Sequence, residues 1–436
     1  MHWSKNSIGF LPSSRYPLHM FITPSKSRMV TTALLSLFIP SVGISQPAGG
    51  SPQLLVPASV QTLSICVSAP EGLASAPDVG WQLVESGPNG SRIGVTLAPA
   101  PDSSGTASRG WQILANLPPR AGATGERSFR LTRASDGSSA VFQFTAVSSN
   151  SLRLLEGERP VLVYNHGILH KTGVPADRAR STYVHPLFGL DGEVLTDDFP
   201  KDHYHHRGLF WAWPHVLVGT NHYDLWMIKG IEQRFERWLA REAGPGGAVL
   251  GVENGWYAGK RKVVKECVWL RVFPASHGVR AVDVELVLTP QDQPVSLAGA
   301  EGKSYGGLTL RFAPRTNTVI TTPLGNSEAD LPMTRLPWAD LTATFPDAPA
   351  ASGAAVFIAP DHPDYPPMWL TRHYGVLCVG WPGVDAKEFP AGEPIRCRYR
   401  VLIHRGAIGK PALERLYAAY LAGEKSTWTS SPAKAP

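Results

Sequence analysis

Apolar and polar positions alternate along much of this chain. Between Val279 and Leu288, the residues Val282, Val284, Leu286 and Leu288 fall on one side and Asp283 and Glu285 on the other, the period of two of a half-buried strand. Between Ile395 and His404, the residues Ile395, Cys397, Tyr399, Val401 and Ile403 oppose Arg396, Arg398, Arg400 and His404. That basic side reads either as a solvated sheet face or as a ligand-facing surface. Shorter runs such as Leu54-Leu55-Val56, Gly94-Val95-Thr96-Leu97, Trp111-Gln112-Ile113-Leu114 and Val141-Phe142-Gln143-Phe144 are separated by Gly, Pro, Asn and Ser, as in antiparallel β-structure. Helical spacing emerges once, late in the chain, where Leu413, Leu416, Tyr417, Tyr420 and Leu421 lie between Pro411 and Gly423.

The pattern predicts an all-β protein: a small β-sandwich over residues 46–155, a large antiparallel β-sandwich over 156–423 that ends in a short helix, and a disordered tail over 424–436. The abundance of Gly (42) and Pro (39) suits short strands joined by many turns.

Residues 1–45 read differently. Lys26 and Arg28 precede an apolar run from Val30 to Ile44 that closes on small residues, the pattern of a secretory signal, with cleavage expected after Ser45. The mature protein is therefore expected to be exported, periplasmic or secreted, with no stable membrane span after signal removal. The formal charge of +6 has the same origin. Lys5, Arg15, Lys26 and Arg28 all precede residue 46, and without them 37 basic residues face 35 acidic ones, so a nucleic-acid partner is not indicated. Cys66, Cys267, Cys378 and Cys397 match no zinc or dense-disulfide spacing, and only Cys378 with Cys397 is a pair to test for a bridge.

The chemistry concentrates in one stretch. Eight of the 14 histidines lie between His166 and His222, and Asp197 to Trp213 holds three carboxylates, three imidazoles, a guanidinium and two indoles. On an extended chain His203 and His205 share one face while Tyr204 and His206 take the other, so three histidines converge only if the chain bends. His185, His203, His205 and His206 are the candidate catalytic residues, because imidazole titrates near neutral pH and serves as acid or base. Arg207 and Arg311 are candidates to stabilise charge developing on an oxygen, and Trp211 and Trp213 to form apolar platforms for a carbohydrate or polyol. Gly306 and Gly307 predict a close backbone approach just before the strand that carries Arg311. Two other readings use the same residues: a metal-dependent oxygenase or hydrolase with His203 and His205 as ligands, and a non-catalytic carbohydrate-binding or cell-surface module. No cofactor is identified by the sequence.

Three stretches together, Ser181-Thr182-Tyr183-Val184-His185-Pro186-Leu187, Gly192 to Pro200, and His203-Tyr204-His205-His206-Arg207-Gly208-Leu209-Phe210-Trp211-Ala212-Trp213, resemble a bacterial family labelled PmoA. The resemblance continues through Tyr305-Gly306-Gly307 to Arg311 and through Tyr399-Arg400 to His404-Arg405-Gly406, which brings Tyr305 and His404 among the candidate substrate contacts. The family pattern has Pro where this chain has Tyr204. The label refers to a membrane subunit of a methane-oxidising enzyme, which needs several spans of about 20 apolar residues. This sequence has none beyond the leader, so the resemblance implies membership without that activity. A looser similarity is to galactose-mutarotase-like sandwiches, and it implies histidines, an arginine and acids handling a sugar on a concave sheet.

Overall fold

The computed structural model describes residues 52–429, apart from 71–72, 74–79, 89, 121, 123–124 and 135–140. The expected leader at 1–45 and the tail at 430–436 lie outside the described residues. The alternating runs become strands, in keeping with the all-β antiparallel sandwich class, and one α-helix follows near the end. No described helix is long and apolar enough to cross a membrane.

The first strands are β1 (Gln53–Pro57), β2 (Leu63–Ser68), β3 (Trp81–Glu85), β4 (Arg92–Pro101), β5 (Ala107–Leu117) and β6 (Glu126–Arg133). The long β4 pairs with β3 through Arg92 to Val95 and with β5 from Thr96 onward, which links all six in the order β2-β5-β4-β3-β6-β1.

Next come β7 (Phe142–Ser148), β8 (Ser151–Glu156), β9 (Arg159–Asn165), β10 (Tyr183–Leu187) and β11 (Leu209–Ala212). A hairpin of β12 (His215–Val218) and β13 (Asn221–Tyr223) leads to four long strands, β14 (Glu232–Gly244), β15 (Gly247–Ala258), β16 (Arg261–Val272) and β17 (Val279–Pro290). The chain continues through β18 (Val295–Ala298), β19 (Gly307–Arg311), β20 (Thr316–Thr322), β21 (Gly325–Ser327), β22 (Thr334–Arg335), β23 (Trp338–Thr344) and β24 (Ser352–Ile358). It closes with β25 (Met368–Arg372), β26 (Val376–Gly380), β27 (Lys387–Phe389), β28 (Ile395–Arg405), helix α1 (Lys410–Gly423) and β29 (Thr427–Trp428).

Two nine-stranded sheets make the sandwich. One runs β22-β25-β26-β19-β11-β10-β9-β8-β7 and the other β14-β15-β16-β17-β28-β24-β23-β20-β21, with β13-β12-β18-β27 as a small sheet beside them. Leu209, Trp211 and Leu310 from the first sheet join Val268, Val284, Leu286 and Val401 from the second in one apolar core. The alternation from Val282 to Leu288 therefore has its expected cause. On the outer side of the second sheet, Trp269, Phe357 and Leu402 pack with Leu114 of β5 and with Leu413, Tyr417 and Tyr420 of α1.

Three boundaries differ from the sequence reading. Strands β7 and β8, placed before residue 156 with the first domain, are hydrogen-bonded to β9 in the sandwich, so the change of sheet falls between β6 and β7. The first sheet also shares one compact unit with the sandwich from Gly49 onward. The expected tail is ordered at its start, because β29 pairs Trp428 with Leu54 and Thr427 with Leu55 of β1. All four cysteines are free, and Cys378 accepts a hydrogen bond from the Thr309 hydroxyl at 3.1 Å.

Candidate functional site

The histidine run is not a strand. Asp197 N–H donates to the Arg311 carbonyl (2.9 Å), Phe199 adopts a positive φ of 53°, and two turns follow, His203 N–H to the Pro200 carbonyl and His206 N–H to the His203 carbonyl. These turns supply the bend that an extended chain lacks. The His203 and His206 rings stack 4.6 Å apart with 5° between their planes, and His205 sits edge-on to both, at 5.6 and 4.6 Å.

After the turns the chain enters β11, whose alternation divides the neighbouring side chains. Leu209 pairs with Leu310 and with Val184 and faces the core, whereas Phe210 pairs with Thr309, placing Gly208, Phe210 and Arg311 on the opposite face. Gly208 carries no Cβ for a steric reason: such an atom would lie 2.2 Å from the Val184 carbonyl oxygen and 2.9 Å from His185 Cβ. Gly307 behaves as its sequence context predicts, with a φ of 117° and a hypothetical Cβ 2.5 Å from the Val379 oxygen.

On that outer face Asp202 joins two of the candidates. Arg311 Nη2 donates to both its carboxylate oxygens (2.8 and 2.9 Å), and His203 Nδ1 lies 3.0 Å from Oδ2. Burial alone would raise the Asp202 carboxyl, but the adjacent His203 imidazole and the charge and hydrogen bonds of Arg311 hold it below its usual value. The arginine side chain is 7% exposed against 46% for Asp202 and 37% for His203, so the guanidinium is the buried brace and the imidazole the accessible partner. Arg311 Nε and Nη1 have no hydrogen-bond partner among the described residues. Its guanidinium also lies 4.9 Å from the centre of the Tyr374 ring, which stacks on His203 at 5.5 Å and 6°. Trp226 meets His206 edge-on at 5.4 Å, and Tyr305 packs on Trp226 at 4.8 Å, so an aromatic row extends from Tyr374 to Tyr305.

The inner imidazoles are uncharged near neutral pH. Burial, with the nearby charge of Arg180, drives His205 down to about 3, and burial with its histidine neighbours takes His206 well below its ordinary value. Neutral imidazoles both donate and accept hydrogen bonds and present apolar ring faces, which suits hydroxyl-rich ligands. Among the described residues no group of three or more His, Cys, Asp or Glu side chains is arranged to hold a metal ion.

Several expected contacts have other duties. Arg207 is fully buried: its Nη1 donates to the carbonyls of Tyr204 (2.6 Å) and His206 (2.8 Å), and its Nη2 to that of Arg178. Its Nε faces Asp198 at 3.4 Å, so this arginine braces the turns from within and presents no face to a ligand. Trp211 and Trp213 lie in the core at 0% and 1% exposure, with Trp213 Nε1 bonded to the Trp381 carbonyl. Leu209 and Trp211 of β11 point inward, which explains the reversal for Trp211, and Trp213 follows one residue past the strand's end. His404 belongs to the other sheet, buried between Asp340 (3.0 Å) and the Gly406 carbonyl (2.9 Å). His185 adjoins Gly208 on the outer face but engages Thr196 Oγ1 at 3.1 Å, and burial lowers it to about 4. His203, His205, His206, Tyr305 and Arg311 are thus the candidates that the fold brings together.

Asp202, Tyr374 and Trp226 received no role from the sequence. Asp202 had a signal, its place beside His203 in the carboxylate-rich run. Tyr374 had none, because 171 positions separate it from His203. A second polar group is buried inside the sandwich: Glu266 accepts hydrogen bonds from Trp256 Nε1 (2.6 Å), Gln233 Nε2 (2.9 Å) and Asn254 Nδ2 (2.9 Å).

One family model matches the chain, over residues 151–418. The chain belongs to a family of unknown function, DUF6807. The DUF6807 segment contains every residue of the histidine cluster and its aromatic row, and begins after β1 to β6. No curated protein matches the chain.

Proposed function

We propose that this DUF6807 protein is exported and binds or processes a carbohydrate or polyol at the His203–Asp202–Arg311 group. The observation that carries this reading is the Asp202 carboxylate, bonded through both oxygens to the buried Arg311 guanidinium and lying 3.0 Å from Nδ1 of the more accessible His203. Aligning the Nδ1 proton of His203 on Asp202, 3.0 Å away, leaves the lone pair on Nε2, which accepts a proton from a ligand hydroxyl. The Arg311 charge then favours the resulting alkoxide oxygen. The exposed Tyr374 and the half-buried Tyr305 supply apolar ring surface against the C–H faces of a sugar, with Trp226 packed behind them. The likeness to galactose-mutarotase-like sandwiches agrees with this chemistry at the level of fold alone. The apolar run behind Lys26 and Arg28 supports export.

Titration with a panel of aldoses and uronates, together with NMR observation of anomer exchange, tests the reading. His203→Ala and Asp202→Asn are expected to lower turnover about 10²–10⁴-fold, and His205→Ala much less. Full turnover in His203→Ala, or failure of the whole panel to bind, overturns it. Equal losses in His203→Ala and His205→Ala, accompanied by loss of a bound transition metal, do the same in favour of a metal enzyme.

A further inference from the structure

The basic side of β28 lies apart from the histidine cluster, with the Arg396 and Arg398 side chains partly buried. Arg396 and Arg398 turn toward the seven-stranded sheet formed by β1 to β6 and β29 and, with Arg271 of β16, wall a cavity of about 290 Å³ lined also by Ser68 and Gln112. Each guanidinium is held by an acid: Arg271 by Glu285 (2.8 Å), Arg396 also by Glu285, and Arg398 by Asp361 (3.1 Å) and Glu424. Asp283 completes the acidic lining and is paired with Arg400 at 2.6 Å.

The walls are fixed to one another by hydrogen bonds. Trp269 Nε1 donates to the Gly105 carbonyl (2.8 Å), Asn116 Nδ2 to that of Pro274 (2.7 Å) and Arg396 Nη2 to that of Asp102 (2.8 Å). Across the cavity Arg271 Nε donates to Gln112 Oε1 at 2.6 Å. The space is therefore preformed.

We infer that this cavity is a second binding site, for a neutral polyhydroxylated ligand of one or two sugar rings, built jointly by the seven-stranded sheet and the DUF6807 sandwich. The three guanidiniums of the wall, with Arg400 behind Asp283, balance the four carboxylates, which disfavours strongly charged ligands. The same groups offer fixed donors and acceptors all around the wall, the lining that replaces the hydration of several hydroxyls at once. Size sets the upper limit, since the volume lies at the low end of small-molecule pockets, about 300–1,000 Å³. The site does not depend on the histidine cluster, because Cys66, Ser68 and Gln112 lie outside the family segment and Arg398 points away from it toward Asp361 and Glu424.

The test starts from the full chain carrying Asp202→Asn and His203→Ala, which disables the first site. Glucose, galactose, xylose and their methyl glycosides, titrated at millimolar concentration by calorimetry, are expected to include at least one saturable ligand. Ser68→Phe, which fills the cavity while sparing its ion pairs, is expected to weaken that ligand at least about tenfold with an unchanged melting temperature. Should Ser68→Phe unfold the protein, Asp361→Ala on the open rim is expected to weaken binding severalfold. Unchanged affinity in the folded cavity variant, or no saturable binding by any panel sugar in the Asp202/His203 background, overturns the inference and makes the cavity an ion-paired layer filled with solvent. Loss of sugar binding on Asp202→Asn and His203→Ala alone overturns it too, while leaving the first site standing.

Discussion

Asp202 and Glu266 show how differently one side-chain type behaves in this fold. Asp202 is half-exposed and shared by two partners, an arrangement suited to chemistry. Glu266 is 0% exposed, and burial pushes its carboxyl up against three hydrogen bonds that favour the charged form. Its donors come from Trp256, Gln233 and Asn254, so removing the carboxylate strands three polar groups in an apolar core. Glu266→Ala is therefore expected to destabilise the protein by about 3–5 kcal/mol, and Glu266→Gln, which keeps one acceptor, by clearly less. Urea midpoints decide this. A Glu266→Ala variant as stable as the wild type would show that the network is not structural.

At the scale of the element, the junction of β10 and β11 sets the position of the cluster. The turns from Pro200 to His206 deliver the chain to Gly208, where β11 begins against β10, and Arg207 ties the turn carbonyls from behind. A methyl group at Gly208 meets backbone oxygen at 2.2 Å, and backbone in mid-sheet has little freedom to retreat. Gly208→Ala is expected to cost about 2–4 kcal/mol and to spread the His203–His206 stack. Chemical denaturation measures the first and a structure of the variant the second. A cost below about 0.5 kcal/mol would mean that the two strands separate easily.

For the molecule as a whole, buried neutral histidines predict sensitivity to acid. Burial holds His362 at about 3, with Nε2 3.2 Å from the Tyr399 hydroxyl. Its folded value is depressed, so between its ordinary value of about 6.5 and about 3 the unfolded chain binds a proton that the folded one does not. The stability is present above that window and is lost as pH falls through it. His185 and His205 act in the same direction, whereas Asp198, raised to about 6 by burial, acts oppositely by binding its proton in the folded state. His362→Gln isolates one proton: the slope of unfolding free energy against pH between about 6 and 4 is expected to flatten by about 1.4 kcal/mol per pH unit. An unchanged slope would show that His362 is already protonated in the folded protein.

Class and periodicity were legible in the residues alone. Alternation at Val282–Leu288 and at Ile395–Ile403, turn residues between short runs and the single helical stripe near the end all depend on local geometry, which a sequence carries directly. The crowding of histidines likewise pointed to the candidate site, and the glycine pair before Arg311 marked a close approach. Side-chain direction was not legible, because it depends on bends and on the layer each strand faces. Extended geometry separated His203 from His206, and two turns stacked them. Chemistry placed Arg207, Trp211 and Trp213 at a ligand, and the alternation of β11 and the carbonyls of the turns took them inward. Tyr374 reaches His203, and Gln112 reaches Arg271, only through the pairing of strands distant in the chain. Local preferences thus determined which elements form, while long-range packing decided which side chains meet.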